Sequence, residues 1–171
     1  METTLSTAFA DGRRRDRDEY RRRGPFPPVT MDQIRQAAVE IGRRPGVQAV
    51  YLFGSRARGS VRPSSDIDLA VWVNPPVDDG EQITVADRLS ALVEDLLDVP
   101  TDVVLLPDPT LPLGLLFDVF SVETILWARD SAKAHDLACR ARLEYRDELP
   151  RLDRARDRLF ARIRGSVHAT N

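Results

Sequence analysis

One cysteine, one lysine and two histidines are all that 171 residues supply of three side-chain types that often announce chemistry. With Cys139 alone, no intramolecular disulfide and no cysteine-based zinc site can form. His135 and His168 stand far apart in polar stretches, so Ser-His-Asp chemistry finds no local support and both read as surface residues. Long apolar runs are missing as well. None approaches the roughly 20 residues that span a bilayer, and the N-terminal stretch has no compact apolar segment of the kind a secretory signal needs. A cytoplasmic protein is the expectation. The net charge is only -2, but it is unevenly distributed. Residues 1–28 carry seven arginines against five acids, whereas residues 29–171 carry 18 basic against 22 acidic side chains. A body of that sign is a poor footprint for nucleic acid, which asks for clustered positive charge.

What is present suits an ordinary folded domain: 42% hydrophobic and 30% charged residues, in a chain long enough to bury a core. The run Arg13–Arg23, followed by Pro25, Pro27 and Pro28, shows no apolar period, so residues 1–28 are expected to form a disordered arm. Order should begin at Thr30, where Gln33 completes a capping box and Val29 and Ile34 are spaced for a hydrophobic staple. Ile34, Ala37, Ala38 and Ile41 then recur at helical spacing, and Gly42 with Pro45-Gly46 stops the helix. Val47–Phe53 reads as a buried strand ending at Gly54-Ser55, residues 56–65 as a polar loop, and Asp66–Val73 as a second strand. Residues 81–97 form an amphipathic helix and Thr101–Leu106 a third strand. Leu113–Phe120 is expected as a short helix and Glu123–Trp127 as a short edge strand. A long charged helix should run from Ser131 towards Arg164, kinked or split at Pro150. The alternation describes an α/β or α+β domain over residues 29–130 with a small sheet, and a helical extension over 131–171 packed on the same domain.

The chemistry centres on Asp66-Ile67-Asp68 at the head of the apolar run Leu69–Val73. Residues two apart on a strand face the same way, with backbones about 6.6 Å apart. Two carboxylates so placed repel each other and lose water, so one must take up a proton unless positive charge stands between them. A hard divalent cation with oxygen ligands removes the conflict. The triplet alone carries no weight, because a second Asp-x-Asp, Asp16-Arg17-Asp18, lies in the arginine-rich arm. Its setting supplies the information: it opens an apolar strand and follows a strand that ends in Gly-Ser. A third acid, Asp102, also stands at the start of an apolar strand and reaches the same pocket if its strand pairs beside the second. The segment Gly54-Ser55-Arg56-Ala57-Arg58-Gly59-Ser60 has no lysine and fails as a Walker A loop; it leaves a backbone cradle with Arg56 and Arg58 available to phosphate oxygens. Trp72 and Trp127 read as core residues rather than base-stacking platforms.

Phe53-Gly54-Ser55-Arg56-Ala57-Arg58-Gly59, followed by Ser65-Asp66-Ile67-Asp68-Leu69, resembles the signature of the minimal nucleotidyltransferases of the DNA polymerase β superfamily. The likeness is greatest to the MntA-like antitoxins that pair with helical HEPN-domain toxin ribonucleases, and it spans about residues 30–130. It implies a polymerase β-type fold, a small mixed sheet flanked by helices with a long C-terminal helix. It also implies a two-metal mechanism. Asp66 and Asp68 would bridge two Mg²⁺ ions, and Asp102 would complete one ion's site and help deprotonate the acceptor. Gly54, Ser55 and Arg56, together with Ser65, would hold the phosphates of ATP. The implied reaction is transfer of AMP to a hydroxyl, a tyrosine's above all, on a cognate HEPN toxin. An antibiotic-type nucleotidyltransferase and an antitoxin that acts by contact alone stay open as alternatives.

Overall fold

The computed structural model describes residues 25–108, 111–121, 125–144 and 146–147. Helix α1 (Met31–Gly42) starts as its sequence requires. The Gln33 N–H donates to Thr30 Oγ at 3.3 Å while Gln33 Oε1 accepts the Thr30 N–H at 2.9 Å, so the capping box is complete. Strand β1 (Val47–Phe53) leads into a single helical turn, α2 (Gly54–Ala57), and then to β2 (Ile67–Val73). Helix α3 (Asp79–Leu97) ends on a left-handed Asp98, two residues ahead of Pro100, and β3 (Thr101–Leu106) follows. Helix α4 (Leu113–Ser121) and strand β4 (Ile125–Ala128) come next. Residues 131–144 are again helical (α5), capped by Asp130, whose Oδ1 accepts the Lys133 N–H.

The four strands lie in the order β3-β2-β1-β4, with β2 and β3 parallel and the other two pairs antiparallel. This is the expected small mixed sheet. Strand alternation sends Ile67, Leu69, Val71 and Val73 to one face, where they join Ile34, Ile41, Val85, Leu89 and Val93 of α1 and α3 in the larger core. Ala70, with Tyr51 and Phe53 of β1, goes to the other face, against Val119 and Phe120 of α4 and Ala134 and Ala138 of α5. The Tyr51 hydroxyl crosses this second core to donate to the Ala134 carbonyl at 3.0 Å. Trp127 lies against the backbone of Gly42, where any Cβ would come within 2.3 Å of its ring. Both tryptophans are partly buried against the two cores, as core residues should be.

Some boundaries differ from the sequence reading. The expected arm reached residue 28, yet Phe26 packs against the larger core and its N–H donates to the Pro63 carbonyl at 3.1 Å. A lone aromatic among prolines is enough to dock a stretch that lacks any period. Helix α3 begins two residues before 81, and β4 (Ile125–Ala128) ends one residue beyond the expected 127, while residues 123 and 124 of the expected strand lie outside the described residues. Residues 1–24, Pro150 with its expected kink, and His168 lie outside the described residues. His135 is exposed, as expected. No helix among the described residues is long and apolar enough to cross a membrane.

Candidate active site

Strand directions bring three separate segments to one end of the sheet. Because β1 runs antiparallel to β2, its last residue, Phe53, stands beside Asp68 at the start of β2. Because β2 runs parallel to β3, the two strands start side by side and Asp68 is in register with Asp102. The Gly54-Ser55 turn and all three acids therefore meet. Asp68 and Asp102 occupy the sheet face that Ala70 and Val104 share with the smaller core, away from α1 and α3.

One carboxylate oxygen from each of Asp66, Asp68 and Asp102 lies within 4.8 Å of the others, and all three residues are half-buried. Asp66 sits one residue ahead of β2 rather than inside it, so the strand is one residue shorter than expected. The expected pair survives this change because Asp66 still precedes the strand directly. Arg56 supplies positive charge here. Its Nε donates to the Asp66 carbonyl at 2.9 Å and its Nη2 to the Ser65 carbonyl at 2.8 Å. Burial pulls its guanidinium pKa below the ordinary value, while the charges of Asp66 and Asp68 hold it up. One guanidinium beside three carboxylates does not balance them. An all-oxygen donor set of this charge is what a hard divalent cation such as Mg²⁺ takes.

Gly54 is required twice over. Its φ of +69° is a conformation that side chains disfavour, and a Cβ there would fall 1.9 Å from Asp68 Oδ2. The α2 turn then folds back on itself: the Ser55 carbonyl accepts the Ser60 N–H at 2.9 Å and the Ser60 hydroxyl at 3.3 Å. Ser65 is drawn into the same loop, its Oγ accepting the Arg62 N–H at 2.9 Å. Arg58 is exposed and reaches Asp118 of α4 at 3.7 Å.

All seven expected site residues gather around one sheet end, and two of them also hold the loop together. Two N–H groups of Arg56 tie α2 to the backbone just before β2. The Ser65 hydroxyl holds its own loop. None of these bonds leaves a mark in sequence, because each ends on a backbone carbonyl or amide whose position depends on the fold.

The resemblance noted in the sequence extends to whole-chain comparisons. A crystal structure of a toxin–antitoxin with AMP-PNP matches with a TM-score of 0.59 at 23% identity, covering 77% of this chain and 99% of that one. A tri-AMPylated Shewanella oneidensis HEPN toxin in complex with an MNT antitoxin matches at 0.57 and 21% identity, with the same coverage. A toxin–antitoxin MntA–HepT structure matches at 0.53 and 22% identity, covering 76% and 96% of the two chains. These matches show a shared fold. The model of the family described as "Polymerase beta, Nucleotidyltransferase" matches residues 37–132, which hold both the Gly-Ser turn and the acid triad. The chain belongs to the polymerase β nucleotidyltransferase family.

Proposed function

We propose that this protein is an antitoxin that transfers AMP from ATP to a hydroxyl, a tyrosine's above all, on a cognate HEPN-domain toxin in the cytoplasm and so neutralises it. The observation that carries the reading is the meeting of Asp66, Asp68 and Asp102 within 4.8 Å at one sheet end, in a chain of the nucleotidyltransferase family. The toxin–antitoxin assemblies of like fold, one with AMP-PNP and one with an AMPylated toxin, support the choice of nucleotide and partner.

Asp66, Asp68 and Asp102 would hold two Mg²⁺ ions, whose chemistry is to stabilise the attacking and leaving oxygens of a displacement at phosphorus. The acceptor oxygen bonds to the α-phosphorus as the bond from that phosphorus to the bridging oxygen breaks, and pyrophosphate leaves. Asp102 stands on the acceptor side and helps take the hydroxyl proton. Gly54 and Ser55 hold the β and γ phosphates, with Arg56 and Ser65 fixing the loop that carries Asp66. Much of the remaining acceleration comes from holding the two reactants in line. An AMP group beside a ribonuclease site adds negative charge and bulk, which repels RNA phosphates.

The test is direct. Incubated with its toxin, ATP and Mg²⁺, the protein should raise the toxin's mass in steps of one AMP, and peptide mapping should place them on a hydroxyl side chain. A toxin whose mass stays unchanged while nucleotide is bound would overturn the reading.

A further inference from the structure

Glu94 of α3 is a buried carboxylate, 4% exposed, on a helix whose buried side carries Val85, Leu89 and Val93 and, one turn before it, Ser90. Burying such a group is costly unless it is hydrogen-bonded, and packing alone would be served by an apolar residue. The carboxylate accepts the backbone N–H of Thr101, the first residue of β3, at 3.1 Å. The turn between them is pinned as well. The Thr101 hydroxyl donates to the Val99 carbonyl at 3.1 Å, and the Pro100 carbonyl accepts the Ile67 N–H at 2.9 Å. Thr101 is in register with Ile67, the residue between Asp66 and Asp68, and the next pair in the ladder is Asp68 and Asp102.

We propose that Glu94 is a positioning residue that sets where Asp102 stands against Asp66 and Asp68. The bond ties the first amide of β3 to α3, and so holds the start of the strand where it enters the ladder with its neighbour. Here the neighbour is β2, and the next residue on each strand is a member of the triad. Ligand atoms gathered within 4.8 Å tolerate little sliding, and partners one step removed from a metal's ligands are worth about 10–100-fold in affinity or activity. The inference rests on the metal-holding role assigned above to the triad, and not on the identity of the acceptor.

The experiment measures Mn²⁺ affinity by electron paramagnetic resonance in the full chain, without toxin. Glu94→Leu keeps the volume but removes the acceptor, and should weaken Mn²⁺ binding by about tenfold. Glu94→Gln keeps an oxygen for the Thr101 N–H and should stay within about threefold of wild type. In an Asp102→Asn background Glu94→Leu should change little, because its effect passes through Asp102. Glu94→Asp, which withdraws the carboxylate by one methylene, carries the same comparison should the leucine variant fail to fold. Wild-type Mn²⁺ affinity in the Leu or Asp variant, with only the melting temperature lowered, would overturn the proposal. So would a Glu94 effect of equal size with and without the Asp102 carboxylate. Mn²⁺ affinity does not involve the acceptor, so an unmodified toxin would count against the proposed function and leave these values unmoved.

Discussion

The Cβ that Gly54 lacks would lie 1.9 Å from Oδ2 of Asp68, so the turn after β1 and the acid that opens β2 share one small volume. Gly54→Ala meets both the positive φ and this contact. The backbone term alone should destabilise by about 1–2 kcal/mol. Relief of the contact must move Asp68, and a displacement of about 1 Å at a reacting centre costs on the order of 100-fold in rate. Nucleotide-transfer kinetics alongside a thermal melt check both halves. A folded alanine variant with wild-type rate would show that Asp68 does not need its present position.

Arg56 offers a sharper comparison because lysine keeps the charge and loses the geometry. The two bonds to the Asp66 and Ser65 carbonyls come from different nitrogens of one planar group, and an ammonium cannot make both in that arrangement. Arg56→Lys should lower activity by about 10–100-fold while charge-sensitive ATP binding falls less. If the lysine variant is as active as wild type, the charge of Arg56 is what matters and its two backbone bonds are incidental.

The acid pair and Asp102 should separate when nucleotide binding is measured apart from transfer. Calorimetry with ATP should show binding that needs Mg²⁺, abolished by Asp66→Asn combined with Asp68→Asn. Asp102→Ala should retain much of that binding yet slow transfer by about 100-fold or more, the range for loss of a positioned base. Equal loss of binding in both would place Asp102 on the triphosphate side.

Tyr51 supplies a test of stability rather than of chemistry. Burial lifts its phenol pKa from 10.0 to about 12. In the unfolded chain the proton leaves near 10, while the folded chain holds it to about 12, so between these values the unfolded state binds fewer protons and stability falls as pH rises. The contribution is therefore fully present below pH 10 and lost on the way to 12. Tyr51→Phe should cost about 1 kcal/mol at neutral pH, the worth of the bond to the Ala134 carbonyl. Urea denaturation should then show a shallower alkaline decline than in wild type. An identical alkaline slope would mean that the Tyr51 phenol is not sheltered.

Much of this site was legible because its marks are local. Thr30 and Gln33 announce a cap within four residues, and Asp66, Asp68 and Asp102 each stand where an apolar run begins. Their meeting was not legible from those marks. It depends on β2 lying between β1 and β3 with opposite pairings, a long-range choice that no periodicity encodes, and only the family likeness joined Asp102 to the acid pair. The single turn of α2 was missed because four residues are too few to show a helical period. Phe26 escaped because one docked aromatic leaves no pattern. Glu94 reads in sequence as another acid on a charged helix; only its burial against Thr101 sets it apart.

The last prediction separates an enzyme from a clamp. If modification silences the toxin, then Asp66→Asn with Asp68→Asn should fail to protect cells that express the toxin, even when it is folded and bound to it. The two substitutions are nearly isosteric and remove negative charge from a crowded cluster, so the fold should survive them and any contact surface elsewhere should persist. Co-purification of the variant with the toxin would establish that contact is intact. Loss of rescue in a variant that still binds then assigns protection to chemistry, and the toxin recovered from those cells should carry no AMP. Adding back wild-type protein should restore both the mass increments and growth. Rescue equal to wild type by the inactive variant would overturn the catalytic reading for the cell, since contact alone would then suffice and the acid triad would serve some acceptor other than the toxin.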